Sequence, residues 1–428
     1  MASSTILSRK MIKLLSPTPP SLRHHNLSFM DCINLPQYSP FAFFYPKPEN
    51  YNKNQISQIL ENSLSKVLSS YYPFAGQIKD NNTYVDCDDT GAEYLNVKIN
   101  CSMSEILNNP CNDVADVVFQ QDLPWCSALN RSPVVVQLSH FDCGGIAVSA
   151  CVSHKIADGY SLFKFFNDWG TTARHVDFKP SPQFNASTFF PLMDGGSNIM
   201  SIKFSPESQR LVSRMYNFSS SNLTRLKNSI TGIQNPTRVE LATALIHKCG
   251  ATASMENNLG LFKPSLMSQV INLRPLIPLD TIGNATCVYS TIAMTENEIE
   301  LSNYVAQIQK VKQQVRNELK NLDMNQIAPY TLEKMKGIVD MMEKDIFDIY
   351  LSSSLCNFGL YNKTNFGWGR PIKITHPKCP MKKCIMLFDD PSEEGIDVLI
   401  TLPEDEMSIF QKDKELLEFA SPTVESIK

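Results

Sequence analysis

The chain has 428 residues, 39 basic and 43 acidic side chains and a formal charge of -4. That near balance excludes the basic footprint of a nucleic-acid binder, and 43% apolar against 19% charged residues describes a globular chain with a sizeable core, about two or three domains by length. Twelve cysteines are too sparse for a disulfide scaffold, and none stands in a C-x-x-C pair, so neither a disulfide framework nor a zinc site is expected.

In chain order, residues 1–21 lack the apolar core of a secretory signal. They are basic and Ser-rich in the manner of a transit peptide, but the stretch is short, and a reduced cytoplasmic protein is expected. Asn-x-Ser/Thr sequons such as Asn26, Asn81 and Asn284 then stay idle. No apolar run reaches the roughly 18 residues of a membrane span, so no membrane association is expected. Phe41, Phe43 and Phe44 either line a binding tunnel or fill a core, and aromatics at that density are expected in the core.

Residues 55–72 put Ile56, Ile59, Leu60, Leu64, Val67, Leu68 and Tyr71 at helical spacing. Strands are predicted over 133–139 and 145–153, joined by a turn at Phe141-Asp142-Cys143-Gly144-Gly145, and a helix follows over Leu162–Trp169. The stretch 176–210, with Pro180, Pro182, Pro191, Pro206 and Gly195-Gly196-Ser197, reads as a linker between two halves. A helix is predicted to start at Thr237, which forms a capping box with Glu240. Strands at 266–273 and 286–294, a helix over 301–319, and strands at 384–388 and 396–402 complete a mixed α/β or α+β pattern.

The chain has no phosphate loop, no dinucleotide fingerprint, no H-E-x-x-H zinc motif and no G-x-S-x-G nucleophile elbow, which removes support for kinase, oxidoreductase, metalloprotease and ordinary serine hydrolase readings. Three segments stand out. In Ser153-His154-Lys155-Ile156-Ala157-Asp158-Gly159, a histidine sits at a strand-to-helix junction. Neutral imidazole there suits proton abstraction near pH 7, and a hydrogen-bonded junction residue is an equally good reading of the pattern. Asn272-Leu273-Arg274-Pro275 ends a strand with an arginine that is ordinarily solvated or ion-paired. In Asn365-Phe366-Gly367-Trp368-Gly369, two glycines flank one of three tryptophans, which reads as an aromatic-packed turn.

Taken together, these segments resemble the plant BAHD acyl-CoA-dependent acyltransferase family. The order HxxxD, N-L-R and a DFGWG-like segment matches, as do Tyr72-Pro73-Phe74-Ala75-Gly76, Thr237-Arg238-Val239-Glu240 and Gly283-Asn284. The likeness is to the subgroup of acylsugar acyltransferases and alkaloid acetyltransferases. The resemblance implies an α/β fold of two chloramphenicol-acetyltransferase-like domains, each a mixed β-sheet with helices, and an active-site tunnel at their interface. It places the first domain at 1–190 plus a crossing strand within about 366–384, a crossover linker at 191–211 and the second domain at 212–428.

It further implies His154 as general base, Asp158 paired with Arg274 to hold the histidine loop, and Gly367 and Trp368 as structural support. Thr237, at a helix start, would take a CoA phosphate, with plain helix capping as the competing reading. No metal and no permanent cofactor are implied. Acyl-CoA is the co-substrate, a small-molecule alcohol is the acceptor, and the chain is a monomer. The expected reaction is transfer of a short acyl group, acetyl or branched, to a hydroxyl of a plant metabolite such as sucrose or an acylsugar. The alternatives are an alkaloid or terpenoid alcohol as acceptor, a non-catalytic metabolite-binding homologue, and a hydrolase. Three positions depart from the family. Asn365 replaces the usual Asp and forfeits its ion pair, Leu355 stands where many members have a tunnel-facing Trp, and Asn357 stands where many have Arg. A wider tunnel is the expected result at Leu355.

Overall fold

Two mixed β-sheets, each packed against helices, make up most of the computed structural model, which describes residues 2–79, 83–109, 112–121, 123–193 and 210–423. The strands of the N-terminal half are β1 (Ser4–Ile12), β2 (His24–Asn26), β3 (Tyr38–Tyr45), β4 (Gln77–Ile78), β5 (Tyr84–Asp86), β6 (Ala92–Ile99), β7 (Val134–Phe141) and β8 (Ile146–Ser153). Those of the C-terminal half are β9 (Leu211–Phe218), β10 (Ser265–Asn272), β11 (Thr286–Ala293), β12 (Asp348–Ser354), β13 (Lys373–Thr375), β14 (Cys384–Asp389), β15 (Ile396–Pro403) and β16 (Ser421–Pro422).

The first sheet runs β1-β6-β7-β8-β3-β13 and the second β11-β10-β12-β14-β15-β9-β16, while β2, β5 and β4 form a small third sheet. Both large sheets are mixed, with β6 parallel to β7 and β12 parallel to β10 and β14. The chain crosses between them once more at β13, which pairs antiparallel with β3 through Lys373↔Phe44 and Thr375↔Ala42.

Period-two alternation explains why the first sheet is buried on both faces. Phe41, Phe43 and Tyr45 of β3 and Val134, Val136 and Leu138 of β7 face the helices Lys53–Ser70 and Gly159–Arg174. Ala42 and Phe44 of β3 with Val135 and Phe141 of β7 face the other way, onto a separate cluster. Phe41, Phe43 and Phe44 are thus core residues, all buried. The edge strand β1 is exposed along most of its length and carries Arg9 and Lys10, charges that discourage pairing with another chain.

The predicted elements appear with shifted ends. The helix expected over 55–72 is Lys53–Ser70, the one over 301–319 is Leu301–Asn321, and Thr237 caps Arg238–Asn257. Strands β1, β3, β6, β9 and β12 and the helix Met324–Glu343 lie outside the elements predicted from the sequence. The linker expected over 176–210 is partly structured. Gln183 bridges Thr281, and the Phe29 amide donates to the Phe190 carbonyl at 2.8 Å, so residues 176–193 lie fastened to both halves. Residues 194–209 of that stretch fall outside the described residues.

Candidate active site

His154 follows β8 directly and continues its ladder. Tyr38 pairs with Ser153, and the His154 amide donates to the Gln37 carbonyl at 2.8 Å. The His154 carbonyl accepts from Asn284 Nδ2 at 2.8 Å, so the residue is held from both halves of the chain. Its ring lines a cleft of about 210 Å³ whose other walls include Ile33, Gln37 and Trp125 from the N-terminal half and Met335, Pro380 and Met381 from the C-terminal half. Nδ1 is turned inward and meets no hydrogen-bonding partner among the described residues, which leaves Nε2 as the nitrogen open to the cleft. An imidazole so placed can take a proton from a hydroxyl brought into the cleft.

Asp158 is not the orienting partner of that ring. Its carboxylate accepts from Arg274 Nη1 at 2.7 Å and Nη2 at 3.0 Å, from the Ser161 amide at 2.9 Å and from the Ala285 amide at 3.0 Å. Burial alone would raise its pKa, but the Arg274 charge and these donors outweigh it and hold the carboxyl below its ordinary range. The bond to Ser161 also caps the helix Gly159–Arg174. Arg274, 1% exposed, also donates through Nη2 to Ser161 Oγ at 2.7 Å and the Gly283 carbonyl at 3.0 Å and through Nε to the Thr281 carbonyl at 3.4 Å, and lies 4.3 Å over the Tyr160 ring.

A second buried carboxylate stands behind the histidine loop. Asp31 Oδ1 accepts from the Asn284 amide at 2.7 Å and Asn284 Nδ2 at 2.9 Å, and burial raises its pKa. Gly283 has φ +131°, and a Cβ there would meet Ala186 Cβ at 3.0 Å and Asp31 Oδ1 at 3.2 Å, so only glycine fits this crossing. Lys155, fully buried, donates to the Cys32 and Asn34 carbonyls at 2.7 and 2.8 Å and so pins the segment that forms one cleft wall. Burial lowers its pKa to about 8. Asp31, Trp125 and Met335 lie outside every motif in the sequence, and Lys155 is a position within the His154 segment to which the motif assigns no role. Gly283-Asn284 was the one visible signal, without a role attached.

The other singled-out residues lie elsewhere. The Trp368 ring packs against Tyr45 at 6.0 Å, Tyr51 at 6.1 Å and Phe366 at 5.8 Å. Tyr45 ends β3, whereas Tyr38 starts it beside His154, so this aromatic nest lies at the opposite end of a strand about 23 Å long at ~3.3 Å per residue. Gly367, at φ +120°, makes its turn. Asn365 Oδ1 accepts from the Gly367 and Gly369 amides at 2.8 and 3.2 Å, and Arg174 donates to the Asn365 carbonyl. The arginine near this turn is therefore satisfied without a carboxylate. Thr237 is occupied by capping: its hydroxyl accepts from the Glu240 amide at 3.2 Å, and its own amide donates to Glu240 Oε2 at 2.9 Å.

Leu355 does not line the His154 cleft, contrary to the expected widening there. It is buried against Gly159, where a Cβ would come within 2.7 Å of Leu355 Cδ2. Asn357 adopts φ +67° and accepts from Arg238 Nη2 at 2.9 Å, so it serves as an anchor for an arginine.

Known proteins resemble the chain over its whole length. The model of the Transferase family matches residues 2–417. The chain is 63% identical to acylsugar acyltransferase 3 of Solanum lycopersicum, with all of both chains covered, and 38% identical to diaboline synthase of Strychnos sp, covering 97% of this chain and 91% of that protein. The crystal structure of vinorine synthase superposes with a TM-score of 0.86 at 27% identity, covering 99% of this chain and 100% of that one. No described helix is long and apolar enough to cross a membrane. The chain belongs to the Transferase family, the BAHD acyltransferases, and is an acyl-CoA-dependent acyltransferase.

Proposed function

We propose that the chain transfers a short acyl group, acetyl or branched, from acyl-CoA to a hydroxyl of sucrose or an acylsugar, with His154 as the general base. The observation that carries this reading is full-length 63% identity to an acylsugar acyltransferase, joined to a histidine whose free nitrogen faces a cleft walled by both halves of the chain. An alcohol is a weak nucleophile at neutral pH. His154 Nε2 takes its proton as the oxygen attacks the thioester carbonyl, a C–O bond forms, and the C–S bond then breaks. The proton passes from imidazolium to the departing thiolate. The cleft supplies proximity by holding the two reactants together.

Asp158 and Arg274 act as positioning residues, since their charges neutralise each other behind the loop and not at the reacting atoms. The domain division at 1–190 with the crossing strand, 191–211 and 212–428 is proposed on the same footing, as is a monomer working in the cytoplasm. The test is product analysis by mass spectrometry, with a panel of acyl-CoA donors offered against sugars, acylsugars and alkaloids. His154→Ala should lower turnover by about 10²–10⁴ with an unchanged melting temperature. A variant as active as wild type overturns the mechanism. Acylation of alkaloids alone supports the alternative acceptor that the diaboline synthase likeness suggests.

A further inference from the structure

The His154 cleft is small and mostly apolar for the acceptor assigned above. At about 210 Å³ it lies below the ~300–1,000 Å³ usual for a pocket that encloses a whole ligand, and it must also admit a thioester. Immediately beside it is a larger cleft of about 750 Å³ on the outer side of the first sheet. The two share Trp125 and Pro380, so they meet along one rim.

We propose that this larger cleft is a second acceptor subsite, which holds the polyhydroxylated body of a sugar while its reacting hydroxyl projects past Trp125 to His154. The proposal rests on the sugar-acylating reading above.

Two observations carry it. The lining is of the kind that binds neutral polyols: the amides of Gln120 and Gln121 stand with Phe119 and Trp125, beside Asp116, whose Oδ1 accepts from the Lys378 amide at 3.1 Å. Side chains of this mixture donate to and accept from hydroxyls while an aromatic covers the C–H faces of a ring.

Lastly, Trp125 is locked in an uncommon conformation. It has φ +65°, its Nε1–H donates to the Lys378 carbonyl at 2.8 Å, and its ring stacks on His376 with centroids 5.8 Å apart. A bulky residue in the left-handed region is sparsely populated unless its surroundings hold it there. Here the surroundings hold an indole at the rim common to both clefts.

The test uses the full chain with Gln120→Leu, which removes an amide from the lining, and Gln121→Trp, which fills the cleft from an exposed position. Acceptors are sucrose, a monoacylated sucrose and 3-methyl-1-butanol, with one acyl-CoA throughout, and melting curves establish that both variants fold. The subsite predicts that both raise KM for the sugar acceptors at least tenfold relative to the small alcohol, with the KM for acyl-CoA within twofold of wild type. Sugar KM values within twofold of wild type in both folded variants overturn it. A wild-type protein that acylates no sugar overturns the sugar reading itself, before any variant is compared.

Discussion

The Arg274 guanidinium grips both carboxylate oxygens of Asp158, at 2.7 and 3.0 Å, with both side chains almost wholly buried. One partner caps the helix that follows the histidine and the other lies two residues beyond the end of β10 in the second sheet, so the pair ties the histidine loop across the two halves. Removing one partner strands a buried charge. Asp158→Ala is expected to cost about 3–5 kcal/mol in urea unfolding. The double variant Asp158→Ala/Arg274→Met should cost less than Asp158→Ala alone, because no charge is then left unpaired. A double variant that is simply the sum of its parts contradicts the coupling.

Gly159 and Leu355 meet at the start of the same helix, where a Cβ on the glycine would stand 2.7 Å from Leu355 Cδ2. Gly159→Ala therefore overpacks the contact and should lose about 1–3 kcal/mol. In the Gly159→Ala background, Leu355→Ala should cost less than it does in wild type, since the cavity it opens is partly filled by the new methyl. Equal costs in the two backgrounds would show that the residues do not share space. Leu355→Trp should lower stability first and reorder acceptors only through displacement of this turn, which melting curves and an acceptor panel separate.

Asn365 closes its turn with two amide bonds to one side-chain oxygen. Asn365→Ala should cost about 1 kcal/mol for the lost bonds, with kcat/KM preserved because the turn lies far from His154. Asn365→Asp keeps both bonds and adds a charge beside Arg174, so its midpoint in urea should equal or exceed that of wild type. A fall in turnover with unchanged stability would place this segment closer to the chemistry than its packing does.

Burial lowers the pKa of His140 to about 4 and of His247 and His376 to about 3. The folded protein keeps them neutral, while the unfolded chain takes up protons below about pH 6.5. Stability is therefore fully present above pH 6.5 and falls as the pH drops towards 4. Each histidine contributes at most about 1.4 kcal/mol per pH unit. Urea midpoints at pH 7.5, 6 and 5 should decline in that order, and His247→Gln should flatten the slope. A midpoint constant from pH 7.5 to 5 contradicts the assignment.

Much of the site was legible because its residues are close in sequence or carry strong local signals. The His154–Asp158 spacing, the strand before it and the helix after it are local matters of alternation, turn and cap. The Thr237–Glu240 capping box is likewise a four-residue device, and the structure reproduces it. What escaped was non-local. Asp31 receives Asn284 across 253 positions. Trp125 and Met335 share a cleft with His154 although the three are far apart in the chain.

The periodicities of the chain required mixed α/β layering, and the order of its three motifs, through the family they resemble, pointed to acyl transfer by a histidine. How those parts are used depended on the three-dimensional arrangement. It gave both oxygens of Asp158 to Arg274, as the family resemblance implied, and left the imidazole without a carboxylate partner among the described residues. It buried Leu355 on Gly159 away from the cleft, and it set a polar cleft beside an apolar one across Trp125. The physical reason is that periodicity and caps act over a few residues. Ion pairing, close packing and the shape of a cleft depend on which distant strands and loops are brought together, and short-range patterns carry no information about that.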